Sequence, residues 1–304
     1  MEKTMGFFTV ATGDGHYYRI ARNLLRSYRA HSKAPLPFAI LADRENEYTR
    51  EFDKTVLLEN PACSYLDKLS LYEHLPFDTN VFVDADCLAY GDLNEIFDHF
   101  QNADDFSCYG RVLPLTDETG WFCYRELGEF QSRVHYCVGL HGGIYYIRAT
   151  EQAAQVFAEA KKIAEHYGDF HFKGRFATPG DEPILALSMA LNGCKPIPFQ
   201  PDGICCYWEH SRELRLNMAS GRAVLRPGGQ HTHLVHWGTR FTRTPLYEKQ
   251  VAGLSLRDQP VRHWLSDCKF DLLRAGQALA AFLTRCKNKL RRIYHHHKEG
   301  KPYA

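Results

Sequence analysis

The chain has 304 residues, with 37 Lys and Arg against 36 Asp and Glu, a formal net charge of +1, and hydrophobic and charged fractions of 44% and 24%. That balance excludes a disordered chain and carries no global signal for nucleic acid, and the length suits one large α/β domain or a domain with an appendage. Ten cysteines are scattered without a Cys-x-x-Cys pair, which fits neither a zinc site nor a small disulfide framework and predicts reduced thiols in a cytoplasmic protein. The apolar stretch at residues 5–10 is too short for a signal peptide or a membrane span.

In chain order, residues 6–12 (GFFTVAT) predict a first strand, broken by Gly13-Asp14-Gly15. Residues 17–31 carry Ile20, Leu24, Leu25 and Tyr28 at the spacing of an amphipathic helix. Residues 38–42 and 56–58 read as further strands, and residues 67–75 as a helix carrying Lys68. Residues 80–83, rich in β-branched and aromatic side chains, predict a buried strand, and residues 93–100 a short helix. Strands alternating with helices predict a parallel sheet covered on both faces, with ligands at the carboxyl ends of the strands. Residues 1–100 therefore read as a nucleotide-binding half. Residues 104–135 lack a clear period and read as loops and short strands.

Residues 142–148 then predict a strand, and residues 151–166 a helix with Thr150 as N-cap. Residues 180–183 (GDEP) open another helix through Leu191, and Val224 and residues 231–237 suggest late strands. The expected division is a catalytic domain over residues 1–265 and a basic helical tail over residues 266–304. That tail has the composition of a peripheral membrane anchor and equally of a solvated surface helix. Its longest apolar run is too short to cross a bilayer.

The chemistry centres on Val83-Asp84-Ala85-Asp86. On a strand, Asp84 and Asp86 point to the same side, and two such carboxylates repel unless a cation neutralises them. A bare Asp-x-Asp is more often a helix cap beside a solvated acid, so its neighbours decide.

Those neighbours resemble a family. Asp67-Lys68-Leu69, VFVDADCLAYGDLNEIFD, Gly142-Gly143, Gly180-Asp181-Glu182 and HTHLVHWGTRF follow the order of blocks in the GT-A glycosyltransferases, within them the family 8 type of glycogenin and the bacterial lipooligosaccharide galactosyltransferases. The resemblance runs discontinuously from Phe7 to about Tyr247. It implies a Rossmann-like mixed sheet flanked by helices, and transfer of a sugar from a nucleotide-diphosphate sugar, UDP-linked, to a saccharide or glycolipid hydroxyl with retention. It also implies a divalent cation, manganese before magnesium, held by Asp84, Asp86 and His236, with His233 and His231 as alternatives to the last. Ala11, Thr12, Asp14 and Tyr17 or Tyr18 would hold the nucleoside. Lys68 and Ala85 would lie at the diphosphate, and Arg240 and Arg243 would grip phosphate. His141, Gly142 and Gly143 would contact the donor sugar, and Asp181 and Glu182 the sugar or acceptor.

The sequence departs from the family at Gly13-Asp14-Gly15, at His141 where an asparagine is usual, at Glu182 where a glutamine is usual, and at Gly238, two residues rather than three beyond His236. A nucleotidyltransferase or a non-catalytic sugar-binding module would be the rival readings. The first lacks a basic triphosphate loop at residues 13–15.

Overall fold

The computed structural model describes residues 4–115, 121–122, 124–170, 172, 179–199, 205–207, 214–225, 228–256 and 260–298. Strands β1 (Met5–Ala11), β2 (Phe38–Ala42), β3 (Lys54–Leu57) and β4 (Thr79–Val83) are parallel, with Phe7 opposite Phe38 and Phe8 opposite Phe82. Adjacent residues of a strand face opposite ways. Phe7 therefore packs with Tyr28 of helix α1 (Gly15–His31), while Phe8 enters the apolar cluster on the other face. Helix α1 is capped by the Asp14 carboxylate, which accepts from the His16 amide at 2.8 Å, and it buries the expected Ile20, Leu24, Leu25 and Tyr28.

The stretch expected as a helix over residues 67–75 instead forms two 3-10 turns, Tyr65–Ser70 and Tyr72–His74. Asp67 is drawn inward there, accepting from the Thr12 hydroxyl at 2.8 Å and the Ala62 amide at 2.6 Å, and this local bonding replaces a longer helical ladder.

Beyond β4 come β5 (Cys87–Ala89), α2 (Glu95–His99), β6 (Phe106–Leu113) and β7 (Cys137–Arg148). Strand β7 is antiparallel to β4, and β6 to β7, so the sheet is mixed, in the order β3-β2-β1-β4-β7-β6. The α/β class with a mixed, helix-flanked sheet agrees with expectation. Strand β6 corrects the reading of residues 104–135 as loops and short strands. Its first five residues are buried, its end emerges, and its pairing shifts between Cys108 and Gly110, so no alternation marks it.

Helices α3 (Glu151–Glu165) and α4 (Asp181–Leu191) cover the face that holds Phe8, through a cluster including Val156, Phe157, Ile184 and Tyr145. Thr150 caps α3 as expected, accepting from the Ala153 amide. The remaining strands are short: β8 (Cys205–Tyr207), β9 (Arg215–Asn217), β10 (Arg222–Val224) and β11 (Leu234–His236). Strand β11 lies between β5 and β8.

Two compact units result, residues 1–216 with 221–238, and residues 217–220 with 239–304. The second holds α5 (Pro245–Ser255) and α6 (Pro260–Lys298), joined by Lys249, which bonds both oxygens of Asp271 at 3.0 Å. No described helix is long and apolar enough to cross a membrane. Cys63, Cys87, Cys108, Cys137, Cys194, Cys268 and Cys286 are free thiols, and Cys123 lies outside the described residues.

Candidate active site

The apolar run of β4 ends at Val83, and the chain turns there rather than extending through the aspartates. The Cys87 amide donates to the Asp84 carbonyl at 3.1 Å, closing a turn into β5. This corrects the expectation that Asp84 and Asp86 lie on one face of a strand: in a turn their carboxylates take different partners. Asp84 Oδ1 lies 2.7 Å from Lys68 Nζ, whereas Asp86 Oδ1 lies 2.9 Å from His236 Nε2. Asp84 Oδ2 is 3.6 Å from the same imidazole nitrogen, so His236 stands between both acids. Strand β11 delivers it by register, since His236 pairs with Cys87 across the antiparallel ladder, and the Trp237 amide donates to the Asp86 carbonyl at 3.1 Å. His233 instead faces Glu95 at 3.3 Å, and His231 bridges to Val224, so neither alternative histidine is brought to the aspartates by these contacts.

Lys68 joins a second group. Its ammonium is 3.0 Å from Asp181 Oδ2, the first residue of α4, and that same oxygen accepts from the Tyr145 hydroxyl at 3.0 Å. Next to it, Glu182 Oε1 accepts from the Gly142 amide at 2.9 Å. Gly142 and Gly143 leave room that a side chain would occupy. A Cβ on Gly142 would meet Glu182 Oε1 at 2.5 Å, and one on Gly143 would meet His236 Nδ1 at 2.8 Å. His141 Nδ1 accepts from the Gly143 amide at 3.1 Å, with its ring centroid 5.6 Å from that of His236.

Burial and charge tune these groups against one another. Burial pulls Lys68 toward its neutral form, but Asp181 and Asp84 outweigh it and hold the ammonium firmly charged. Burial raises Asp84, with Lys68 opposing. His236 is pulled down by burial and pushed up further by Asp86 and Asp84, the net direction being upward. His141 is pushed down to about 3 by burial and by His236, so it is a neutral imidazole. Glu182 is raised to about 7 by burial and by Asp181.

At the carboxyl end of β1, Ala11 is buried, Thr12 is fastened to Asp67, and the Gly13 amide donates to Asp43 Oδ1 at 3.2 Å. Gly13 has φ +71°, which explains a glycine at that step. Asp43 also accepts from the Tyr18 hydroxyl, and Arg44 bridges Asp43 to the Gly13 carbonyl. Tyr18 is therefore committed to the scaffold, while Tyr17 is 38% exposed at the rim.

The first unit thus brings together Lys68, Asp84, Asp86, His141, Gly142, Gly143, Asp181, Glu182 and His236, with Ala85 buried in the turn. Arg240 and Arg243 belong to the second unit, on a 3-10 helix over Thr239–Arg243. Two residues of the site were missed. Asp67 anchors Thr12, and only its place beside Lys68 hinted at this. Cys87 joins Asp86 and His236 in a described group whose donor atoms lie within 4.8 Å of one another. Asp84, expected as a ligand, is turned toward Lys68. Carboxylate, imidazole and thiol donors fit a divalent ion of intermediate hardness, so the residues suit a metal.

No family model matches the chain, and no curated protein matches it. Among solved structures it is similar to mouse xyloside xylosyltransferase 1 in its apo form, at 12% identity over 79% of this chain and 99% of that one, with a TM-score of 0.45. It is similar also to the galactosyltransferase LgtC in complex with donor and acceptor sugar analogues, at 14% identity over 78% of this chain and 94% of that one, TM-score 0.45. The glycosyltransferase GlyE of Streptococcus pneumoniae TIGR4 matches at 16% identity over 64% of this chain and 45% of its own length, TM-score 0.41.

Proposed function

We propose that the chain is a metal-dependent glycosyltransferase, moving a sugar from a nucleotide-diphosphate sugar, UDP-linked, to a saccharide hydroxyl with retention. The observation that carries this reading is the convergence of Asp84, Asp86, Lys68, Asp181 and His236 at the carboxyl end of the central strand β4. A nucleotide diphosphate leaving group gains negative charge as the glycosidic bond breaks, and such a site gathers countercharge where that charge develops.

Asp86 and His236 would hold the ion, with Asp84, whose Oδ2 lies 3.6 Å from His236 Nε2, completing an oxygen-rich set. When bound, manganese or magnesium would neutralise the diphosphate and polarise its oxygens. Lys68 would add a fixed positive charge, desolvated and held by two carboxylates. Thr12 and the Gly13 turn would receive the nucleoside, with Tyr17 at its edge. Asp181, Glu182 and the His141–Gly143 segment would orient the sugar, and neutral His141 would serve as a hydrogen-bonding group.

A thermal-shift panel of UDP- and GDP-sugars with and without manganese tests the reading, because a ligand that binds only the native state raises the melting temperature. A manganese-dependent rise with UDP-sugars is expected. No rise with any sugar nucleotide would count against it.

A further inference from the structure

Helix α6 is 39 residues long, and α5, with 11, covers only part of it. The sequence of α6 places Leu265, Leu272, Leu279, Cys286 and Ile293 at a strict spacing of seven, flanked three residues on by Cys268, Ala275 and Phe282. Its described leucines and Phe282 face solvent (Leu272 is 73% exposed, Leu279 59% and Phe282 58%), while Cys268 and Cys286 are half-buried. Of the two acids that meet Lys249 of α5, Asp267 lies more than a quarter turn from the leucine line at about 100° per residue, whereas Asp271 borders the stripe beside Cys268 and Ala275.

The period of the stripe selects its partner. A helix lying flat on a lipid surface needs an apolar face that follows about 3.6 residues per turn, whereas a seam repeating strictly every seven drifts by about 20° per heptad and stays in contact only with another helix supercoiled around it. Four consecutive heptad intervals, about 42 Å of helix, are long enough for a stable pair. We propose that α6 is a dimerisation helix, and that its partner is the α6 of a second copy of this chain in antiparallel orientation.

Charge sets the orientation. Residues 278–298 carry six Lys and Arg and no acid, whereas residues 260–277 carry three Lys and Arg and two Asp. A parallel pair would lay the two strongly basic halves side by side. An antiparallel pair sets each against the nearly neutral half of its partner and avoids that repulsion. The register centred on Gln277 places Cys268 opposite Cys286 of the second copy.

Sedimentation of the full chain from about 1 to 100 μM should show a monomer–dimer equilibrium. Leu272→Asp and Leu279→Asp should each weaken it at least tenfold while leaving the circular dichroism spectrum and sugar-nucleotide binding unchanged, because both side chains are exposed. Copper-phenanthroline oxidation in a Cys63→Ser background should trap a covalent dimer that either Cys268→Ser or Cys286→Ser alone abolishes. A chain monomeric throughout that range overturns the proposal, whether or not it binds anionic phosphatidylserine vesicles. Cross-linking that survives each single substitution but is lost in the Cys268→Ser/Cys286→Ser double variant would indicate a parallel pair and overturn the antiparallel assignment.

Discussion

Lys68 Nζ lies 2.7 Å from Asp84 and 3.0 Å from Asp181, so one buried ammonium neutralises carboxylates delivered by two separate elements, the turn after β4 and the first residue of α4. Removing one member of such a group leaves the rest charged and without compensation. Lys68→Met should therefore cost about 3–5 kcal/mol of stability near neutral pH, measured by urea unfolding. Adding Asp181→Asn should recover a substantial part, because it removes one of the stranded charges. A loss under about 1 kcal/mol for Lys68→Met would show that the group is solvated.

Glu182 gives the protein a specific pH signature. Burial and the neighbouring Asp181 raise it to about 7, above the ordinary carboxylate range of an unfolded chain. The native state then binds this proton more tightly than the unfolded state does, so the contribution is full below about pH 4.5 and is lost as pH rises through 7. Glu182→Gln retains an oxygen for the Gly142 amide and has nothing to titrate. Between pH 5 and pH 8 the variant should gain on the native protein by about 2 kcal/mol, measured by denaturant unfolding at each pH. Parallel stability curves would refute the assignment.

Gly143 should not tolerate a methyl group. Its Cβ would meet His236 Nδ1 and His141 Cε1, both at 2.8 Å, so both rings must give way. Gly143→Ala should fold, yet lose most metal-dependent donor binding in titration calorimetry, because His236 is displaced from Asp86. Unchanged metal affinity would mean that His236 is not a ligand.

Much of this was legible in the sequence, for identifiable reasons. Strands β1 and β4 follow from apolar runs bounded by Gly and Asp, and the buried face of α1 from its period, whereas the Asp14 cap does not. Asp84, Asp86, Lys68, Asp181 and His236 were legible together only through a resemblance of their blocks, in order, to those of a known family, since no spacing alone would join positions so far apart. The turn at Asp84–Asp86 was hidden, since Ala85 and Cys87 are as compatible with a strand as with a bend. Strand β6 was hidden by its bulge and by burial that fades along its length. The inward turn of Asp67 was hidden because its partners Thr12 and Ala62 lie outside the segment read as a helix.

Release of UDP from a panel of UDP-sugars, with and without manganese, is the most direct measurement of the proposed chemistry. Slow manganese-dependent release of UDP from at least one donor, the sugar passing to water, faster with a saccharide acceptor that takes the sugar instead, and reduced at least a hundredfold (about 2.7 kcal/mol) in both Asp86→Ala and His236→Ala, is the predicted result. Turnover unchanged in Asp86→Ala, or binding of a UDP-sugar with no turnover of any donor, would contradict the account.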